Sequence, residues 1–261
     1  MSATPRSYPQ LVGLHQVTEG DGPPVVLVHG FTQTGVSWRH VARRLACDHT
    51  VIRVDAPGHG GSSAIQADLS ATADLLAETG GRATYVGYSM GARAVLRLAL
   101  DHPDLVAGLV LVGATAGIDD PDERAERRRL DHVRAERIEK LGVAAFLEEW
   151  LAQPLFANLP DDVEERRARA TNTASGLASS LRLSGTGTMD PPWWSALSEI
   201  RAPTVAMAGQ LDLKFVKLGR RVADTVPGAK LVTVPGAGHA AHLHAPELVA
   251  DRVREVSARS G

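Results

Sequence analysis

The chain has little with which to cross-link, to cross a membrane or to attract a polyanion. It holds one cysteine, Cys47, so no internal disulfide can form, which fits a reducing compartment. Neither sign of charge is in excess: 28 Lys and Arg stand against 30 Asp and Glu, for a formal net charge of −2. Nothing in that balance selects a nucleic acid or an anionic membrane surface as partner. No apolar run approaches the roughly 18 residues of a membrane helix, so no membrane insertion is expected. The stretch from Met1 to Gly13 has prolines and polar residues but no apolar core of signal-peptide length. A cytoplasmic protein is the expectation. The ten histidines contain no His-Glu-x-x-His and no Cys/His cluster, so neither a metal nor another cofactor is called for.

What is present is a soluble, globular composition, 44% hydrophobic and 22% charged over 261 residues. That length suits one well-buried domain with an inserted subdomain, as a monomer or small homo-oligomer. Six short apolar runs read as buried strands, at 24–29, 50–55, 83–87, 107–112, 203–208 and 229–234. Helical stretches such as 38–46, 67–79 and 90–100 lie between them. Strands that are nearly continuous in apolar residues and alternate with helices imply an α/β fold with a parallel sheet covered on both faces. The region 118–197 breaks this rhythm. It has no strand pattern and reads as Arg- and Glu-rich helices followed by a Gly/Thr/Pro loop. It is expected to be a helical lid inserted between two parts of the core, 1–117 and 198–261.

The stretch Gly87-Tyr88-Ser89-Met90-Gly91 follows a strand and precedes a helix. In that context the Gly-x-Ser-x-Gly pattern marks a nucleophile elbow; elsewhere it is only a glycine-bracketed turn. The backbone N–H of Met90 then becomes an oxyanion donor, with the N–H of Phe31, in His29-Gly30-Phe31, as the second. A base must follow. His239 lies just after the sixth strand, on a loop that reaches the sheet edge. His242 and His244 compete, but both fall where the next helix should begin, which favours capping or surface roles. His29 and His59 lie in loops expected to wall the site, where structural hydrogen bonding is their reading. The orienting acid belongs between Ser89 and His239 in chain order, which selects Asp212 over Asp55, and Asp190 reads as a lid turn residue.

Several arginines are candidates for an anion site. Arg93 lies one helical turn beyond Ser89, on the same side. It sits at the head of a mostly apolar segment, where burial without an anion is costly. Arg127 shares a helical stripe with Leu130, Arg134, Ile138 and Leu141, and Arg169 one with Thr173, Leu177 and Leu181. Against this stands a bland alternative. The arginines from Arg124 to Arg137 are interleaved with Glu123, Glu126, Asp131 and Glu136, as on a solvated, ion-paired face.

Nearly the whole chain, from His29-Gly-Phe-Thr to His239-Ala-Ala-His242, resembles one subfamily of the α/β-hydrolase superfamily, the MenH family. Its members are 2-succinyl-6-hydroxy-2,4-cyclohexadiene-1-carboxylate synthases of menaquinone biosynthesis. The triad motifs are common to the superfamily. The more specific matches are Gly87-Tyr-Ser-Met-Gly-Ala-Arg93, Glu126-Arg-Arg-Arg-Leu-Asp131 and Trp150-Leu-Ala-Gln-Pro-Leu-Phe156. Gly176-Leu-Ala-Ser-Ser-Leu-Arg-Leu-Ser-Gly-Thr-Gly187 and Gly209-Gln-Leu-Asp-Leu-Lys-Phe215 complete the set. The resemblance implies a lyase: a proton is removed from the substrate, pyruvate is expelled and a conjugated diene forms. It further implies a small-molecule substrate with three carboxylates, held by Arg93, Arg127 and Arg169, with Tyr88 and Trp150 lining the pocket. Ala92 departs from the family pattern, which has a second glycine there, and its methyl is expected near the pocket floor. Two rival functions share the same residues. One is a carboxylesterase, lactonase or C–C bond hydrolase; the other is a non-catalytic small-ligand binding protein on the same fold.

Overall fold

The protein is described here as a computed structural model covering residues 13–259. Residues 1–12, on which the expectation of no secretory leader chiefly rests, and 260–261 lie outside the described residues. Seven strands form one sheet: β1 (Gln16–Glu19), β2 (Pro24–Val28), β3 (Thr50–Val54), β4 (Ala83–Tyr88), β5 (Val106–Val112), β6 (Thr204–Gly209) and β7 (Lys230–Val234). Their order is β1-β3-β2-β4-β5-β6-β7, parallel throughout except for β1, which runs antiparallel to β3. Six of these are the expected strands. β1 is the addition: Gln-Val-Thr-Glu is short, polar and largely exposed, so it lacks the apolar signature of a buried strand.

Alternate residues of each central strand enter opposite cores, as the two-residue period of a strand demands. Val26, Val28, Leu109 and Leu111 pack on one face. The helices there are α2 (Leu69–Gly80), α3 (Met90–Asp101) and α8 (Leu213–Thr225). Val25, Leu27, Val110 and Val112 pack on the other, under α1 (Arg39–Leu45) and α10 (Pro246–Ala258). A strand buried on both sides must be apolar at every position, which is why these runs read so plainly.

The excursion between β5 and β6 carries α4 (Pro121–Leu141), α5 (Val143–Leu151), α6 (Val163–Ala170) and α7 (Ala174–Ser184). Asp120 caps α4, its carboxylate accepting from the N–H groups of Asp122 and Glu123 at 2.9 Å each, with Pro121 in the first turn. These helices have a small core of their own, built from Ala135, Ile138, Phe146, Leu177, Ala178 and Leu181. The neck of the excursion is closed: the N–H of Trp193 donates to the carbonyl of Ala116 at 2.7 Å, and Nε1 of Trp194 to that of Gly117 at 3.2 Å. The chain closes with α9 (Ala241–His244), directly before α10.

The inward stripe of α4 differs from the expected one. Its buried members are Asp131, Ala135 and Ile138, while Leu130 and Arg134 are only half-buried. Asp131 therefore does not belong to a solvated face. The proposed Arg169 stripe also breaks, because Arg169 ends α6 whereas Leu177 and Leu181 lie on α7, which Thr173 caps.

Candidate active site

At the carboxyl end of β4 the chain turns at Ser89, with φ +52° and ψ −103°, directly into α3. A non-glycine residue in that region is strained, and such strain collects at functional sites. Neither flanking glycine takes a positive φ. Both are required by close approach instead. A Cβ on Gly87 would lie 2.4 Å from the carbonyl oxygen of Gly91, and one on Gly91 would lie 2.2 Å from that of Val28. The elbow is thus wedged between the backbones of β2 and α3. Ala92, by contrast, is fully buried in the core and does not line the cavity, so its methyl is not on the pocket floor.

Oγ of Ser89 lies 3.0 Å from Nε2 of His239, and Nδ1 of His239 lies 2.7 Å from Oδ2 of Asp212. With Asp212 ionised, Nδ1 donates to the carboxylate and the Nε2 lone pair faces the serine hydroxyl. Asp212 is aimed by a second duty: its Oδ1 caps α8, accepting from the N–H of Phe215 at 3.3 Å. Gly113, which sequence reasoning did not single out, makes room for the imidazole. A Cβ there would meet Cε1 of His239 at 2.9 Å, and its φ of +62° also favours glycine. The first turn of α3 leaves the N–H of Met90 without an intrahelical partner. Phe31 and Met90 both line the cavity above the serine.

His29 and His59 are buried supports. Nε2 of His29 accepts from the N–H of Ala56 at 3.0 Å while Nδ1 donates to the Gly30 carbonyl at 2.8 Å. His59 accepts at Nε2 from the N–H of Thr32 at 3.2 Å and donates from Nδ1 to the Pro57 carbonyl at 3.0 Å. Burial, reinforced by His29, holds His59 down at about 3, so it stays neutral and keeps its acceptor. His242 corrects the expectation of a capping or surface role. It is buried between the rings of Trp38 and Tyr88, at 4.4 and 4.3 Å between centroids, and burial holds it well below the usual histidine range. Neither of its ring nitrogens reaches Ser89. His244 is half-buried on α9.

A cavity of about 520 Å³ opens over the serine. Its apolar wall includes Phe31, Trp150, Phe156 and Phe215, and Tyr88 lies at its base. The three arginines named from the sequence all reach it, but in different electrostatic states. Arg127 is held by Asp131, its Nε donating to both carboxylate oxygens at 2.9 and 3.0 Å; Arg134 shares the same carboxylate at 3.0 Å. Arg169 is buried, its Nε 2.5 Å from the buried Glu165 and its Nη1 donating to Oγ1 of Thr32. Arg93 is buried too, but among the described residues no carboxylate pairs with it. Its Nη2 donates to the Ser184 carbonyl at 2.9 Å and its Nε has no partner. Burial, followed by the nearby Arg127 charge, brings Arg93 down from 12.5 to about 10. Lys214 and Arg221 add positive charge at the rim beside Asp119, Asp120 and Glu123, with Arg221 paired to Asp119 and stacked 3.9 Å over Trp194.

A serine on a strand-to-helix elbow, a histidine after the last strand and an acid after the strand before it define a protein of the α/β-hydrolase class. The sequence pattern of the alpha/beta hydrolase family matches residues 25–252. The chain is 32% identical over 234 residues to a 2-succinyl-6-hydroxy-2,4-cyclohexadiene-1-carboxylate synthase from Escherichia coli O157:H7 (strain EC4115 / EHEC), covering 86% of this chain and 89% of that one. It therefore belongs to the alpha/beta hydrolase family and, within it, to the 2-succinyl-6-hydroxy-2,4-cyclohexadiene-1-carboxylate synthases. Among solved structures it superposes on MenH from S. aureus with a TM-score of 0.87 at 27% identity, over 94% of this chain and 98% of that one. A thermophilic esterase from Thermogutta terrifontis follows at a TM-score of 0.81 and 29% identity, over 95% and 93%.

Proposed function

We infer that this chain is a lyase of menaquinone biosynthesis. It eliminates pyruvate from 2-succinyl-5-enolpyruvyl-6-hydroxy-3-cyclohexene-1-carboxylate to give 2-succinyl-6-hydroxy-2,4-cyclohexadiene-1-carboxylate. The observation that carries the reading is a cavity set directly over Ser89, with Arg93 buried in its wall and, among the described residues, lacking a carboxylate partner. Such a group is costly unless an anion completes it, and a polycarboxylate substrate supplies that anion. An acyl pocket for a simple ester has no use for it. The excursion over residues 118–197 then serves as a substrate-selecting lid, since it contributes Arg127, Trp150 and Arg169.

In the proposed mechanism His239, oriented by Asp212, takes the Ser89 proton, and the serine oxygen acts as base on a substrate C–H. The electron pair forms the new C=C bond and the C–O bond to the enolpyruvyl group breaks. The departing enolate takes up a proton to become pyruvate. The N–H groups of Phe31 and Met90 stabilise negative charge on the substrate as it develops. Arginine suits the binding role better than lysine because its fork matches a carboxylate with two parallel hydrogen bonds. No helix among the described residues is long and apolar enough to cross a membrane. A cytoplasmic location is the reading that goes with the single cysteine and a small acidic metabolite.

Ester hydrolysis is the second reading, favoured by the likeness to the Thermogutta esterase, which relies on the same fold. Pyruvate release from the enolpyruvyl substrate, coupled to lactate dehydrogenase, is compared with turnover of p-nitrophenyl esters. Pyruvate release that disappears in Ser89→Ala supports the lyase. Rapid ester turnover with no pyruvate release sinks it.

A further inference from the structure

Besides Ser89, one non-glycine residue among the described residues has a positive φ: Thr32, at +68°. For a β-branched side chain that conformation is a genuine outlier, and it persists only where its surroundings over-determine it. Thr32 is fully buried, immediately after Phe31. Three groups grip it. Its N–H donates to Nε2 of His59 at 3.2 Å, its carbonyl accepts from Nδ2 of Asn172 at 2.8 Å, and its Oγ1 accepts from Nη1 of Arg169.

Asn172 is the hub of this arrangement. It is buried in the short link between α6 and α7, at the foot of the excursion. Its Nδ2 bonds the Thr32 carbonyl at 2.8 Å and also the carbonyl of Arg169 at 3.0 Å, while its Oδ1 accepts from the N–H of Gly60 at 2.8 Å. A closed ring results, running from Thr32 to His59, along the backbone to Gly60, then to Asn172 and back to Thr32. The ring ties three separate segments together: the loop after β2, the loop after β3, and the excursion. Backbone packing tightens it further, since a Cβ on Gly176 would come within 2.5 Å of the Gly58 carbonyl. The neutral state of His59 matters for the same reason, because an imidazolium would have no lone pair for the Thr32 N–H.

We propose that Asn172 and Thr32 are positioning residues that hold the Phe31 amide in place as an oxyanion donor, so that seating of the excursion on the core preorganises the oxyanion hole. The proposal rests on the role given to Phe31 in the mechanism above. Phe31 is gripped from its other side as well, its ring meeting Trp150 at 5.2 Å between centroids. An oxyanion donor acts through its exact placement, and a misplacement of about 1 Å at a reacting centre can cost about a hundredfold in rate. Neither Thr32 nor Asn172 lines the cavity, but both bond Arg169, which does, so labelling of Ser89 by a reagent without carboxylates separates the oxyanion effect from any change in substrate affinity.

Asn172→Asp is the decisive substitution. It keeps an acceptor for the Gly60 N–H but turns an oxygen toward the Thr32 carbonyl. We expect kcat to fall about tenfold to a hundredfold, with any change in KM, transmitted through Arg169, smaller than the change in kcat. The pH profile should keep its shape, because His239 and Asp212 are untouched. The rate at which a fluorophosphonate labels Ser89 should fall in parallel, since that reaction also places an oxygen in the oxyanion hole. Thr32→Ser, which keeps the hydroxyl acceptor, should stay within twofold of wild type. Asn172→Ala removes the bonds to Thr32 and Gly60 without adding a charge, so it tests the idea even if Asn172→Asp folds poorly; it should lose kcat likewise. Unchanged kcat and labelling in Asn172→Asp and Asn172→Ala overturn the proposal, as does a rise in KM with kcat preserved. If the wild type released no pyruvate while labelling still slowed in the variants, the positioning role would stand and the lyase reading would fall.

Discussion

Replacing Arg93 by methionine should make the protein more stable and a much poorer catalyst. Arg93 is buried with one hydrogen bond, to the Ser184 carbonyl, and no paired carboxylate. Its drop from 12.5 to about 10 corresponds to about 3 kcal/mol against the charged form in the folded state. Methionine removes that cost and fills similar space with a flexible apolar chain. Against this, the Ser184 carbonyl loses its donor, which costs about 1–3 kcal/mol if it stays buried and unpaired. The balance is a gain of about 1 kcal/mol, or about 2–4 °C in Tm for a chain of this size. Truncating one partner of a buried charge pair formed with a substrate carboxylate costs about 2–5 kcal/mol, because the other charge is left buried and unpaired. That cost lowers kcat/KM by about 30-fold to several thousandfold. Calorimetry and the coupled pyruvate assay read the two effects separately. A variant that melts below wild type would show that Arg93 serves the fold, and kcat/KM within threefold of wild type would remove it from substrate binding.

Three further outcomes follow from the geometry. Asp212→Asn should lower kcat by about 10³–10⁴-fold with little change in KM, because the amide no longer holds His239 with Nδ1 protonated; a loss under tenfold would remove Asp212 from the relay. Gly91→Ala should yield little soluble protein or an elbow without activity, since its Cβ would lie 2.2 Å from the Val28 carbonyl and neither backbone can yield cheaply. A soluble, fully active variant would contradict this packing. His59 is neutral and held at about 3, so the stability it contributes is complete above pH 6.5. That contribution is lost as pH falls from 6.5 toward about 3, to a total of about 5 kcal/mol. Urea unfolding between pH 7 and 5 should show this decline, and a flat profile would refute it.

Much of the fold was legible because the central strands are buried on both faces and so carry unbroken apolar runs. β1 escaped for the opposite reason: a polar, four-residue edge strand has no pattern to read. Ser89, His239 and Asp212 could be picked out because each follows a strand at the same edge of the sheet, and the resulting distances are 3.0 and 2.7 Å. The lid was harder. Asp131 and Glu126 look alike in a charged helix, yet one is buried between Arg127 and Arg134 while the other pairs with Arg129 in solvent. Only the three-dimensional packing of α4 on α7 separates them. Arg169 came from family resemblance, since the stripe argued for it runs across a helix break. Thr32 and Asn172 gave no signal at all, because their importance lies in hydrogen bonds between segments about 140 residues apart.

The closed neck at Ala116 and Trp193 has a bearing on how such proteins diversify. Because the excursion leaves and rejoins the core at one hydrogen-bonded point, everything beyond it can be lengthened, shortened or exchanged without altering the register of β5 against β6. Grafting a relative's segment at this junction would then import a new set of pocket charges while the elbow, the imidazole and its carboxylate stay where they are. The limit on such exchange is Asn172: a transplanted segment without an equivalent amide at its foot would lose its hydrogen bonds to the loops after β2 and β3.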